Sequence, residues 1–588
     1  MKKTISLVKN TFSNLLSNYK FFYAIRKSFE DMSPKSLRSD IMAGIIVGIV
    51  AIPLSMSLAI STGVSPQYGL YTACIAGIVV AILGGSRTQV TGPTAAFIAL
   101  LYPIVLQYGL QGLLLCGLLA GGLLVVMGLS GMGRLVQFIP YPVTIGFTSG
   151  IALVIFSIQL NDLFGLHLAG TSHFTHRMVV FFQNIKNLSP LELSGGGITI
   201  LSLLIWPKIN KKIPAPIVVL PLVTAFYVLL AKFYPELQVS TILNTFTTNI
   251  QSGAESLTVS GIPGGLPKFS LPWNDYYHSG KLIVVDFVFI KSLILPAFSV
   301  AILAAIESLL TAVVADGMAK TKHHPDTELT ALGIGNLIVP FFGGIAATGA
   351  LARTSTNIKF GARSPLAAVV HGTFIITALL FIAPIISYLP MSSLAALLIF
   401  VAYNMSEWKR FVHIVKVGAK SDIVVLLSCF ILTVIFDMVI GVAIGIVLAA
   451  LLFMRRTIDL TKGEIFSFSD EKMHNDIPDG VVVYQIIGPM FFGVADKVVA
   501  CINEQYHDKK AFILLMDHVW SIDMTALVSL DNTLNELLAH DLKIVLVQVR
   551  PQPLKLISKS KLIGAHQKNI YLAPTLDDAL HTLKNVLH

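Results

Sequence analysis

Charge is scarce in this chain. Only 13% of its 588 residues are Asp, Glu, Lys or Arg, against 54% hydrophobic ones, and mean hydropathy is +0.76. A soluble monomer of that composition would expose more apolar surface than such proteins tolerate, which leaves a multi-span membrane protein. Cysteine is scarce too, at four residues. Cys74, Cys116 and Cys429 lie in hydrophobic runs and Cys501 in a polar stretch. Their spacing fits neither a metal site nor a disulfide framework, so neither is expected. The N-terminal stretch lacks an apolar segment followed by a cleavage site, so no secretory signal is expected. No Gly-x-x-x-x-Gly-Lys loop occurs, so ATP is not the expected energy source, and no cofactor is expected.

What charge there is has a pattern. The net +10 comes from 42 basic and 32 acidic residues. From residue 462 onward there are 12 Lys+Arg and 15 Asp+Glu, a balance of −3, which leaves 30 against 17, or +13, in the first 461 residues. A basic excess confined to the hydrophobic part is the bias of membrane loops, not a nucleic-acid face. Residues 1–40 hold eight Lys+Arg and three acids and read as a cytoplasmic amphipathic lead-in, with Phe21, Phe22 and Tyr23 near the bilayer surface. Two hydrophobic blocks follow, 41–233 and 287–456, each with room for about seven spans of about 20 residues. If the first span leaves the cytoplasm near Asp40, every second loop should be basic. Those loops contain Arg87, Arg134, Lys208, Lys211 and Lys212, then Lys320, Lys322, Lys359, Arg363, Lys409, Arg410, Lys416 and Lys420, and the last span ends at Arg455-Arg456. The expectation is about fourteen spans in two inverted halves with both termini inside.

Residues 234–286, rich in Gly, Pro, Ser and Thr, should connect the halves externally, and 457–480 should be a polar linker. The rhythm beyond is α/β over 481–588. Strands are expected at Val481–Ile487, Ala511–Met516 and Ile544–Val549, with helices near 494–507, 524–540 and 575–587.

Two small-residue stretches break the hydrophobic pattern. Thr91-Gly-Pro-Thr-Ala-Ala-Phe97 and Thr348-Gly-Ala-Leu-Ala-Arg-Thr354 align on their Thr-Gly pairs at an offset of 348 − 91 = 257 residues. Gly/Pro-interrupted segments at corresponding positions of two halves point to a transporter's binding site. Close helix packing is the competing reading. Glu307 lies mid-span with Thr311 one turn away on the same face, and an unpartnered membrane carboxylate is costly enough to suggest a function.

Those two stretches, with Pro66-Gln-Tyr-Gly-Leu-Tyr71, Ile306-Glu-Ser-Leu-Leu-Thr-Ala312 and the C-terminal α/β pattern, resemble the SulP anion permeases (solute carrier 26 family) with their STAS domain. The resemblance covers nearly the whole chain. It implies a seven-plus-seven inverted repeat with a mobile core domain, a gate domain, a homodimer and a bacterial plasma-membrane location. It also implies that the third and tenth spans are half-helices, preceded by extended segments at Thr88–Thr91 and Ile345–Thr348. Their N-termini, each carrying unpaired N–H groups and about half a positive charge, would then face one anion. On that resemblance the substrate site comprises Ser55, Met56 and Ser57 beyond a helix break at Pro53, then Thr94, Ala95, Ala96 and Phe97, and Gly349, Ala350, Leu351, Ala352 and Arg353. Gly92 and the other small residues would let the anion reach the backbone.

Glu307 falls where the family holds a coupling acid, which makes a proton the expected co-substrate. A sodium site using Glu307, Thr311 and carbonyl oxygens, and a plain Glu307–Arg353 ion pair, are the alternatives. Where animal relatives often carry glutamine and an aromatic, this chain has Leu54 and Leu58, so their chloride-type site is a poor guide to its substrate. Leu351 stands where some relatives have a hydroxyl, which weakens the sodium alternative. His371 and Asp437 read as structural, Asp437 as a turn cap. In the STAS domain Asp523 reads as an N-cap. Thr525 is a candidate for regulatory modification, with docking of a cytoplasmic protein the favoured role of that domain. Sulfate or bicarbonate is the expected cargo and a small dicarboxylate the runner-up. A passive channel would not need Glu307, and a nucleobase permease would not need Arg353.

Overall fold

The computed structural model describes residues 22–587 except 31–32, 135–138, 167, 169–170, 172, 211–212, 253–254, 275, 279–280, 437, 461, 466–476, 492–508 and 561–568. The expected helix 494–507, Phe21, Asp437 and Cys501 therefore lie outside the described residues. The chain divides into two compact units, Met1–Val447 and Leu448–His588.

The first unit is helical. α1 (Pro34–Ser61) starts with Pro34 in its first turn behind Ser33, whose side chain accepts from the Ser36 N–H, a capped start that fixes where the helix begins. α2 (Pro66–Leu83) again opens on proline. A two-residue strand, Thr91–Gly92, and one turn of 3₁₀ helix, Ala95–Phe97, lead into α3 (Ile98–Leu129), which is broken at Gly109 by φ 67°, ψ −168°. Only glycine adopts that conformation without strain, so α3 is two helical pieces rather than one rod. α4 (Tyr141–Phe164), α5 (Phe174–Asn184), α6 (Pro190–Ile209) and α7 (Ala215–Phe233) complete the first half.

The second half repeats the order. α8 (Phe287–Ala319) and α9 (Pro325–Ile338) precede a two-residue strand, Thr348–Gly349, then come α10 (Leu351–Lys359), α11 (Leu366–Phe381), α12 (Met391–Met405), amphipathic α13 (Trp408–Val417), α14 (Lys420–Ile435) and α15 (Met438–Leu460). The halves interleave. α8 and α9 pack on α3, and α11 on α1 and α2, while α12 and α14 pack on α4 and α12 also on α6. Two helix groups result, each drawing on both halves.

Seven described helices are long and apolar enough to cross a bilayer, or eight if the pair Phe174–Asn187 and Pro190–Ile209, bent by 115°, counts as one span. The others are short because extended segments or turns interrupt them. Large apolar side chains such as Leu222, Phe233, Phe287 and Leu295 are exposed on the outer faces, as lipid contact requires. Proline does not end α1 at residue 53 as expected. The helix runs through it to Ser61, with hydroxyls back-bonded to the local carbonyls, Ser55 Oγ to Ala51 O at 2.6 Å and Ser57 Oγ to Pro53 O at 2.8 Å. Prolines are tolerated within membrane helices. The connection 234–286 is more ordered than its composition suggests, forming hairpins Thr247–Ser252/Glu255–Ser260 and Tyr276–His278/Lys281–Ile283.

The second unit holds a five-stranded sheet in the order Ile570–Ala573, Lys543–Val547, Ala511–His518, Val481–Ile487, Lys462–Ile465, parallel except for the last pair. Alternation along Ala511–Leu515 sends Phe512 and Leu514 to one face, against Leu530, Leu534 and Leu537 of α16 (Met524–Ala539) and Ile557 of α17 (Pro551–Lys559). Ala511, Ile513 and Leu515 face the other side with Ala579 and Leu583 of α18 (Leu576–Leu587). Burial on both faces explains the continuous apolar run of the central strand. The expected linker 457–480 contributes the edge strand Lys462–Ile465, which its mixed composition did not reveal.

Candidate functional site

The two Thr-Gly pairs meet. Thr91 pairs with Gly349 and Gly92 with Thr348 in an antiparallel crossing. Under the 257-residue offset each pair maps onto the other, as an inverted repeat requires. A two-residue ladder inside an apolar protein leaves many backbone groups to satisfy, and side chains from both halves do so. Thr354 Oγ1 accepts from Val90 N at 3.0 Å, Asn357 Nδ2 donates to Thr88 O at 2.9 Å, and Asn336 both donates to Ala347 O (2.9 Å) and accepts from Ala347 N (2.8 Å). Thr72 does the same for Ile345, accepting from its N–H at 2.7 Å and donating to its carbonyl at 3.1 Å.

Beyond the crossing, each chain turns into a helix with no side-chain cap. Thr94 precedes Ala95–Phe97 and α3, and Ala350 precedes α10. Apart from Phe97 N, which donates to Thr94 O at 3.3 Å, first-turn N–H groups lack intrahelical partners and carry the positive end of the helix dipole.

Arg353 sits in the first turn of α10, where the dipole disfavours a cation, and is only 1% exposed. Its Nη2 donates to Ser55 Oγ at 3.0 Å and Pro93 O at 3.1 Å. Its Nε and Nη1 have no acceptor among the described residues. The guanidinium lies over Gly92, where a Cβ would collide with Nη1, and the amide of Gln89 lies likewise over Gly349. The space that these glycines leave is therefore filled reciprocally by a side chain from the opposite half.

Glu307 is half-buried and accepts from Thr94 Oγ1 at 2.8 Å, so it touches the residue before the first helix start. Thr311, one turn on, donates to Gly349 O at 3.1 Å. No Glu307–Arg353 ion pair forms among the described residues; the acid and the base have separate neutral partners. The structure thus joins Ser55 to Arg353, Thr94 to Glu307, and Thr311 to Gly349. Met56, Ser57, Ala95, Ala96, Phe97 and Ala350 are buried beside these, while Leu351 and Ala352 are exposed at the start of α10. Thr525 lies on the second unit, exposed in the first turn of α16, whose N-cap Asp523 accepts from Ala526 N at 2.8 Å.

Gln89, which the sequence reading passed over, donates to Ser308 Oγ at 2.7 Å and has no partner at Oε1 among the described residues. Its neighbours Ser86, Arg87, Thr88 and Thr91 are polar as well, so no local contrast singled it out. His371 is fully buried on α11 with no hydrogen-bond partner at either ring nitrogen among the described residues, facing Gly77 of α2.

Comparison with known proteins follows the same lines. The signature of the Sulfate permease family matches residues 37–429, and that of the STAS domain matches 472–579. YvdB of Bacillus subtilis (strain 168), whose name assigns it provisionally to sulfate transport, is 38% identical over 536 residues, covering 91% of this chain and 96% of that protein. The bicarbonate transporter BicA of Picosynechococcus sp. is 26% identical over 555 residues, covering 90% and 91%. Among solved structures, the murine solute carrier 26 family member A9 anion transporter, inward-facing, superposes with a TM-score of 0.80 at 17% identity, covering 96% of this chain and 94% of that one. This last likeness speaks for the fold alone.

Proposed function

The chain belongs to the sulfate permease family of anion transporters, a polytopic helical membrane protein with a STAS domain and not an enzyme, and from that premise we propose that it is a secondary active symporter of a small inorganic oxyanion, with a proton as co-substrate. The observation that carries the reading is Arg353, buried beside two uncapped helix starts with two guanidinium nitrogens that have no acceptor among the described residues. A compact oxyanion matches that donor set, since it can accept from guanidinium and backbone N–H together. Ser55, Met56, Ser57, Thr94 to Phe97 and Gly349 to Arg353 form the anion pocket.

Glu307 is the proton carrier. It hydrogen bonds to the anion-side residue Thr94 rather than to Arg353, so protonating it does not strip the arginine of a partner. Sulfate leads because YvdB carries that name, and bicarbonate follows on the name of BicA. The group containing both helix starts moves against the other in an elevator-like cycle. The protein works as a homodimer in a bacterial plasma membrane with both termini cytoplasmic, its STAS domain docking a cytoplasmic protein. A sodium-coupled reading draws on the Thr311 hydroxyl at Gly349 O beside Glu307.

Uptake of labelled sulfate, bicarbonate and fumarate into proteoliposomes tests the substrate. The expected result is saturable uptake of sulfate or bicarbonate, abolished by Arg353→Ala in a protein that still elutes as a folded species. Uptake of fumarate alone would replace the substrate class, and full activity in Arg353→Ala would remove that residue from the pocket.

A further inference from the structure

A cavity of about 280 Å³ lies between the two helix groups at the C-terminal end of α1. In the proposed topology α1 begins in the cytoplasm, so this end is external. Ser61 of α1 and Tyr102 of α3 line it from one group, and Ser157 and Asn161 of α4 with Thr171 and Arg177 line it from the other. Arg177 is the basic side chain in this lining. Its guanidinium donates to Ser157 Oγ at 2.7 Å from Nη1 and to Thr171 O at 2.8 Å from Nη2, and lies 5.8 Å from the Tyr102 ring centroid. A fixed planar fork of this kind suits an oxyanion. The volume admits such an anion with some of its hydration water, at about 30 Å³ per water.

A stripe of hydroxyls leads inward from the cavity. Ser61 Oγ accepts from Gln159 Nε2 at 2.9 Å and donates to Ser57 O at 2.8 Å. Ser57 lies one turn deeper on the same face, and Ser55, which holds Arg353, lies two residues further along the same helix on another face.

We propose that this cavity is an outer capture station for the transported oxyanion, with Arg177 as its cationic ligand. The proposal rests on the transport function above and adds an external station to it. Asp162 also lines the cavity. Its carboxylate opposes a bound anion, which keeps capture weak enough for onward movement.

The test is sulfate transport in oriented proteoliposomes, measured as external KM for uptake and internal KM for efflux. Arg177→Gln should raise the external KM roughly tenfold, the loss of about one charge-assisted contact, with kcat and internal KM little changed. Arg177→Lys, which keeps the charge but not the fork, should restore only part of the loss. Asp162→Asn should shift the external KM the other way, which keeps the test alive if Arg177→Gln does not fold. An unchanged external KM in both Arg177→Gln and Asp162→Asn, or an equal fall of kcat in both directions, would overturn the station while leaving the central site standing. No transport of any oxyanion by the wild-type protein would overturn the proposed function and the station with it.

Discussion

At the scale of single residues, Gly92 and Gly349 give the sharpest prediction. Each supports a side chain from the opposite half, Arg353 on one and Gln89 on the other. Gly92→Ala places a methyl group where Arg353 Nη1 lies, so the guanidinium or the strand must shift. Overpacking of this kind costs about 1–3 kcal/mol, but the larger effect should be on function, because the displaced group is the proposed anion ligand. Uptake should fall at least tenfold while melting in detergent drops only modestly, and wild-type uptake in Gly92→Ala would show that the contact is dispensable. The sequence made these positions conspicuous as glycines in matched motifs. It did not disclose what fills the space, because Arg353 and Gly92 are 261 residues apart and only the crossing brings them together. Gln89 escaped notice for a related reason, since nothing near it in sequence marks it as facing Gly349.

At the scale of elements, the legible features were those with local causes. The two interrupted segments, the long apolar helices and the central strands of the C-terminal domain follow from composition and periodicity, and Ala511–His518 forms as a buried strand where its apolar run implied one. Features that depend on distant partners were illegible. Pro53 stays within α1 although it lacks the N–H that would bond the carbonyl of residue 49, which the local rule that proline ends a helix does not anticipate. The edge strand Lys462–Ile465 exists only by pairing with Val481–Ile487. The antiparallel register of Thr91–Gly92 with Thr348–Gly349 is the element-scale expression of the inverted repeat, and the side chains of Asn336, Asn357, Thr72 and Thr354 hold it in place.

At the scale of the whole molecule, the chain forms two compact units, Met1–Val447 and Leu448–His588. The proposed pocket is built entirely from residues of the first unit, so removing 462–588 should lower or deregulate uptake without altering the preference among sulfate, bicarbonate and fumarate. Competition by unlabelled anions in the truncated protein checks this, and a changed order of preference would mean that the STAS domain shapes the pathway. The central claim is energetic coupling of oxyanion entry to proton entry through Glu307. It is tested most directly by sulfate accumulation, or bicarbonate accumulation if that is the transported anion, in proteoliposomes under an imposed pH gradient. Protons enter down an inside-alkaline gradient, so that gradient should drive uptake above equilibration in the wild type, with the stimulation lost in Glu307→Gln although exchange at equal pH persists. Uptake indifferent to the pH gradient, or stimulated only by sodium, would contradict the account.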